Sequence, residues 1–227
     1  MTDATKPIVM LAHTAALGTL FFVFVMYVAF PFIQPELNPI YRFGSEYSAG
    51  RMGWLMKLAF FVWGGALLAL AVAMARGLDV AARSKTAVVL FVVSGVGVFL
   101  AGVFDSDLQV LNENPPPRWI EAPASDEESL HSTAGMVGLI SLMVGAGFAT
   151  RRLRLAGRLG SKYHALRSLA WLTPVAFLAF ALFFVSYGLA GLGQRIFLAL
   201  MFAWQVLTAR GLATGAFALR RQHTDPD

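Results

Sequence analysis

Six long runs of apolar residues, separated by short polar or charged segments, set the pattern of this sequence: about residues 8–32, 52–75, 86–104, 132–150, 169–191 and 196–217. Each is close to the roughly 20 residues that carry a helix across a hydrocarbon core about 30 Å thick, the third and fourth lying near the short limit of about 17. None alternates apolar and polar positions as a membrane strand does, which excludes an outer-membrane barrel. The first run exceeds the roughly 7–15 apolar residues of a signal peptide and no small-residue cleavage site follows it, so it is read as a retained helix. The pattern predicts an all-α fold: one transmembrane domain over residues 1–227, a polytopic bundle of six helices. Outer loops are expected at 33–51 and 105–131, and a basic loop at 151–167.

Composition removes the soluble alternative. Of 227 residues, 57% are hydrophobic and 14% charged, with a mean hydropathy of +0.65, against about 45–50% and 25% in soluble domains. With no cysteine, there can be no disulfide, thiolate metal site, iron–sulfur cluster, covalently attached haem or cysteine nucleophile.

A net charge of +5 would suggest nucleic acid in a soluble chain, but here the basic residues sort by side of the membrane. With the N-terminus inside, the cytoplasmic side holds 13 of the 18 Lys and Arg residues, among them Arg151, Arg152, Arg154, Arg158, Lys162 and Arg167 in one loop. The outer side holds Arg42, Arg51, Lys57, Arg118 and Arg195. This bias predicts both termini in the cytoplasm of a bacterial or archaeal plasma membrane and makes nucleic acid an unneeded partner. The connection from Asp105 to His131 is the opposite, carrying Asp105, Asp107, Glu113, Glu121, Asp126, Glu127 and Glu128 against Arg118 alone. Its Pro115-Pro116-Pro117 core predicts a stiff extended excursion, with Trp119 at headgroup level.

Between helices in lipid, small residues allow close contact. Gly95, Gly102 and Asp105 fall on one face of the third helix, and His131, Gly135, Gly138 and Gly145 on one face of the fourth. A tight pair of these two helices is expected. The same faces offer a route to a homo-oligomer or to a membrane-protein partner. Pro174 is placed within one turn of the start of the fifth helix, where its missing N–H is tolerated.

Ionisable and polar groups gather at the outer boundary: Arg51, Trp54 and Lys57 at i, i+3 and i+6 on the second helix, Asp105 and Asp107 closing the third, His131 opening the fourth, and Gln194 with Arg195 opening the sixth. A charge at membrane depth costs about 2.5–3.5 kcal/mol on insertion scales unless paired or hydrated, so such groups turn inward and meet. Lys57 and Arg195 are expected to pair with Asp105 and Asp107; snorkelling and helix capping are the alternative. The histidines at 13, 131, 164 and 223 lie at different levels, so they cannot converge on haem or zinc, and no metal or cofactor is expected. There is no G-x-S-x-G elbow, H-E-x-x-H or P-loop; a set of Ser48 or Ser132 with His131 and Asp107 is the one nucleophile arrangement to weigh.

Four short stretches carry a resemblance. Tyr47-Ser48-Ala49-Gly50-Arg51-Met52-Gly53-Trp54 enters the second helix, Gly102-Val103-Phe104-Asp105-Ser106-Asp107 leaves the third, His131 with Gly135 enters the fourth, and Gly193-Gln194-Arg195-Ile196 enters the sixth, with Trp204 below. In this order and spacing the chain resembles the six-helix membrane family called domain of unknown function 998. The resemblance implies a six-helix bundle, no established activity and a loose kinship with membrane families tied to lipid handling.

Both lines lead to an outward-facing polar pocket formed by Arg51, Trp54, Lys57, Asp105, Asp107, His131, Gln194 and Arg195. Three readings stand at this point. The pocket binds or carries a membrane-lipid headgroup or small polar molecule, with Arg51, Lys57 and Arg195 as anion donors. Alternatively, the protein is an accessory subunit of a larger membrane assembly. In the third reading it is an outer-leaflet lipid hydrolase with His131 as general base.

Overall fold

The computed structural model describes residues 5–108, 111–112, 118–119, 124–160 and 163–217. The Pro115 to Pro117 stretch, Glu113, Glu121, Lys162, Arg220, Arg221, His223 and the side chains of Arg118 and Trp119 lie outside the described residues. Six helices are long and apolar enough to cross a membrane: α1 (Lys6–Ile33), α2 (Gly53–Gly77), α3 (Lys85–Val103), α4 (Asp126–Leu155), α5 (His164–Phe184) and α6 (Ala190–Ala213). The protein is a multi-pass membrane bundle. A two-residue antiparallel pairing, Leu111–Asn112 with Arg118–Trp119, is the only strand structure among the described residues.

Each helix packs on its chain neighbours and α6 closes back on α1, so the six form a ring. Side chains that fill its middle include Phe22, Trp63, Phe91, Phe197 and Trp204, all fully buried. Polar bonds cross this apolar interior. The indole N–H of Trp63 donates to Gln205 Oε1 at 3.0 Å and the Thr19 hydroxyl donates to the same atom at 3.3 Å, joining α1, α2 and α6. Trp204 donates to Thr150 Oγ1 at 2.9 Å, joining α6 to α4. In lipid such bonds contribute about 0.6–2 kcal/mol each.

Several boundaries differ from the hydropathy reading. Helix α4 starts at Asp126, where Ser125 caps it by accepting from Glu128 N at 3.0 Å. His131 therefore lies inside the helix, which hydropathy hid because the first turn is charged. Arg151 to Leu155 belong to α4 and His164 to Arg167 to α5, so much of the expected basic loop is helical. Pro174 is interior to α5, which begins five residues earlier than hydropathy indicates; it leaves the Ala170 carbonyl without its i+4 donor.

The glycine faces also sort differently. A Cβ on Gly95 would meet Leu68 and Gly64 of α2, and one on Gly102 would meet Phe60 of α2. Gly97 instead faces α4, where a Cβ would approach Ala134 O at 2.7 Å and Gly138 at 3.0 Å. The α3–α4 pair is tight, through Gly97 and Gly138, while Gly95 and Gly102 seat α3 on α2. Both sets are occupied within the chain.

Candidate functional site

Two ends of the bundle differ in charge. The basic end holds the starts of α1, α3 and α5; the acidic end holds the two longer loops. At the acidic end, residues 34–52 fold over the ring as a cap. Gln34, fully buried, donates to the Tyr47 carbonyl at 3.1 Å and to the Arg51 carbonyl. Tyr47 stacks on Phe30 with ring centroids 4.8 Å apart. Chain entry into α2 is close enough that a Cβ on Gly53 would lie 1.9 Å from the Ser48 carbonyl, and Met52 takes a left-handed φ of 59°. The Tyr47 to Trp54 stretch thus builds the cap and its turn into α2.

Arg195 clamps this cap from α6. Its Nη1 donates to the Pro39 and Arg42 carbonyls, both at 2.8 Å, and its Nη2 donates to the Tyr47 hydroxyl at 3.2 Å. The guanidinium also lies 5.6 Å from the Tyr47 ring centroid. The loop approaches so closely that a Cβ on Gly191, one turn before Arg195, would sit 2.3 Å from the Arg42 carbonyl. Arg195 is 8% exposed and meets backbone carbonyls where carboxylates were expected.

The aspartates join other partners. Lys57 forms an ion pair with Asp105 between partly exposed side chains. Asp107 accepts the N–H of Ser125 at 2.8 Å and its hydroxyl at 3.0 Å. In exchange, Asp107 N donates to Glu128 Oε2 at 2.7 Å, and Asp105 N to Glu127 Oε2 at 3.0 Å. This lattice binds the end of α3 to the first turn of α4, whose N-terminal dipole favours the carboxylates there. Arg51 and Trp54 are exposed.

Beneath the cap a cavity of about 330 Å³ enters the ring. Its polar lining is Ser45, Glu46, Ser106, Glu128, His131, Ser132 and Gln194, all from segments at the acidic end. Deeper in, Phe22, Phe60, Trp63, Phe177 and Phe197 line it. No lysine or arginine is among the described residues that line it. Helices α1 and α5 each carry a π-helical segment beside it, Phe24–Ala29 and Phe180–Phe184, contributing Met26 and Phe180 to the wall. Such turns interrupt the regular ladder and recur at functional sites.

Of the expected residues, the structure brings His131 and Gln194 to this cavity and leaves Arg51, Trp54, Lys57, Asp105, Asp107 and Arg195 outside its lining. His131 is 5% exposed; its Nδ1 lies 2.6 Å from the Ala101 carbonyl and 3.3 Å from that of Phe104. A ring nitrogen set against two carbonyls carries a hydrogen. Gln194 Oε1 accepts from Gly44 N at 2.7 Å. Two residues overlooked in the sequence join them. Glu46, 1% exposed, accepts from Phe43 N at 2.8 Å and pairs with Arg42 at 3.0 Å. Glu128, 8% exposed, accepts from the Ser132 hydroxyl as well as from Asp107 N. The Ser125-x-x-Glu128 spacing is a capping-box signature that marks where α4 begins and so places Glu128 in its first turn.

No Ser/His/Asp relay connects these groups, since Ser132 donates to Glu128 and Ser48 to the Ser45 carbonyl at 2.8 Å. No group of three or more metal-ligating side chains converges among the described residues.

The family described as "Protein of unknown function (DUF998)" matches residues 7–211. The chain belongs to the DUF998 family. That match takes in all six helices of this DUF998 member save the two ends of the bundle's outermost turns, and with them every residue that lines the cavity. No curated protein and no solved structure matches it.

Proposed function

We propose that this DUF998 protein binds or carries an amphiphile in the cavity beneath the cap, with an apolar chain among the aromatic side chains and a hydrogen-bond-donating or cationic head at Glu46, Glu128 and His131. The observation that carries this reading is the chemical gradient of the cavity: two buried carboxylates, an imidazole and a carboxamide at its mouth, phenylalanines and Trp63 below, and no lysine or arginine among the described lining residues. Its volume falls at the small end of ligand pockets, which run from about 300 to 1,000 Å³. The lack of a lysine or arginine among the described lining residues reverses the sign expected from the sequence, where Arg51, Lys57 and Arg195 were to receive an anion; Lys57 is paired with Asp105. Arg195 is committed to the cap, and Arg51 is at the surface.

The membrane lipid bilayer is the proposed source of the ligand, and the plasma membrane of a bacterium or archaeon, with both termini cytoplasmic, the proposed setting. That orientation is supported by the Lys and Arg bias and puts the cavity mouth at the outer leaflet. Melting of the detergent-purified protein with a long-chain primary amine and with the fatty acid of equal length tests the reading. The amine should raise the melting temperature and the acid should not; equal shifts, or a shift by the acid alone, reject it.

A further inference from the structure

A second recess lies at the opposite end of the bundle, between α4 and α5. It encloses about 560 Å³. Each helix presents to it a stripe with helical spacing that runs from small or apolar to basic: Gly147, Arg151 and Arg154 at i, i+4 and i+7 on α4, and Pro174, Trp171 and Arg167 at the same spacing in reverse on α5. The two stripes run side by side, so three guanidinium groups collect at the end of one apolar trough. The trough is open, because a Cβ on Gly147 would meet nothing within 4 Å.

The side chains of these three arginines carry no hydrogen bond or ion pair to any described residue, although others nearby do. Arg158 pairs with Asp79, and Arg152 donates to the Val80 carbonyl at 3.4 Å. No carboxylate is among the described residues that line the trough. A further recess adjoins it and shares Arg154, Arg167 and Trp171, adding His164 and Ser168 from the first turns of α5. Trp171 is 71% exposed, as fits an aromatic at the membrane interface.

We propose that this trough binds an anionic phospholipid of the leaflet at the basic end, its phosphate held by Arg151, Arg154 and Arg167 and an acyl chain laid past Gly147, Trp171 and Pro174. Guanidinium forks match phosphate oxygens in paired hydrogen bonds, and basic clefts between membrane helices select such headgroups. The length also fits: from Met143 to Arg151 the helix rises about 12 Å at 1.5 Å per residue, close to the roughly 15 Å of one leaflet's hydrocarbon. A soluble anion would use the arginines but leave the trough unfilled. The proposal does not depend on what occupies the cavity at the acidic end.

Native mass spectrometry of the full chain, released from nanodiscs of phosphatidylcholine with a minor fraction of phosphatidylglycerol, tests this. Phosphatidylglycerol should be retained in preference to phosphatidylcholine. The triple variant Arg151→Gln, Arg154→Gln, Arg167→Gln should weaken retention about a hundredfold, at roughly fivefold per arginine near a membrane surface. Gly147→Trp keeps every charge but fills the trough, and it should also lose the lipid; Arg152→Gln, on another face, should not. Wild-type protein with no preference for phosphatidylglycerol overturns the proposal without any variant. Retention unchanged in a folded Gly147→Trp shows diffuse attraction to a basic surface and overturns it too. Displacement of the lipid by millimolar inorganic phosphate would instead identify a free-phosphate site, with the same consequence.

Discussion

The Arg195 guanidinium donates to the Tyr47 hydroxyl at 3.2 Å and rests against the Tyr47 ring, so the start of α6 holds the cap through a residue that is itself stacked on α1. Burial pushes the Tyr47 phenol up from its ordinary value, against the opposing pull of Arg195, and keeps it a neutral acceptor. Hydrogen bonds to a charged group contribute about 1.5–3 kcal/mol each. Arg195→Gln should therefore cost about 3 kcal/mol or more, lowering melting in detergent and opening residues 34–52 to protease. Arg195→Lys should recover only part, because one ammonium cannot span the Pro39, Arg42 and Tyr47 oxygens together. Wild-type melting of Arg195→Gln would show that the clamp is incidental.

Lys57→Met should behave differently. The Lys57–Asp105 pair joins α2 to the end of α3, yet its side chains are 30% and 53% exposed. Exposed pairs contribute about 0–1 kcal/mol, against 3–5 when one partner of a buried pair is removed. A loss below about 1 kcal/mol in denaturant melts is expected; a loss above about 3 would place the pair out of water.

At the basic end Asp79 gives a pH signature. The Ala82 backbone N–H bond and the Arg158 guanidinium hold its carboxyl below the usual value of 3.8. A carboxyl whose folded pKa is depressed adds stability that is complete above the ordinary value and lost as pH falls through the folded one. The melting gap between wild type and Asp79→Asn should thus be constant from pH 7 to about 5 and shrink below about 3.8. A gap independent of pH would assign the clasp to geometry alone.

Orientation has its own test. A reporter fused within residues 156–160 should read cytoplasmic and one between residues 112 and 125 external, since the Lys and Arg bias governs insertion. The reverse pattern would place the cavity mouth at the inner leaflet.

The six spans were legible because each is apolar on nearly all sides, and Lys57 with Asp105 because charges at membrane depth need partners. Arg195 was legible as buried but not as a clamp, since its partners are backbone carbonyls that no residue type advertises. Glu46 and Glu128 were lost for the opposite reason: hydropathy counted them as loop charge, whereas Phe43 N, Asp107 N and the Ser132 hydroxyl solvate them inside the fold. Glycine spacing marked the faces of α3 but could not say which neighbour each would meet.

A ligand in the cavity beneath the cap is excluded by filling that cavity. A Cβ on Gly135 would meet only Ala101 Cβ, at 3.8 Å, so Gly135→Leu extends into the cavity while leaving Glu46, Glu128 and His131 in place. Wild type and Gly135→Leu would be purified from the same membranes and their bound small molecules compared by native mass spectrometry. An amphiphile with a hydrogen-bond-donating or cationic head is expected on the wild type and should be lost from the folded variant. The same species at equal occupancy on both proteins would contradict it.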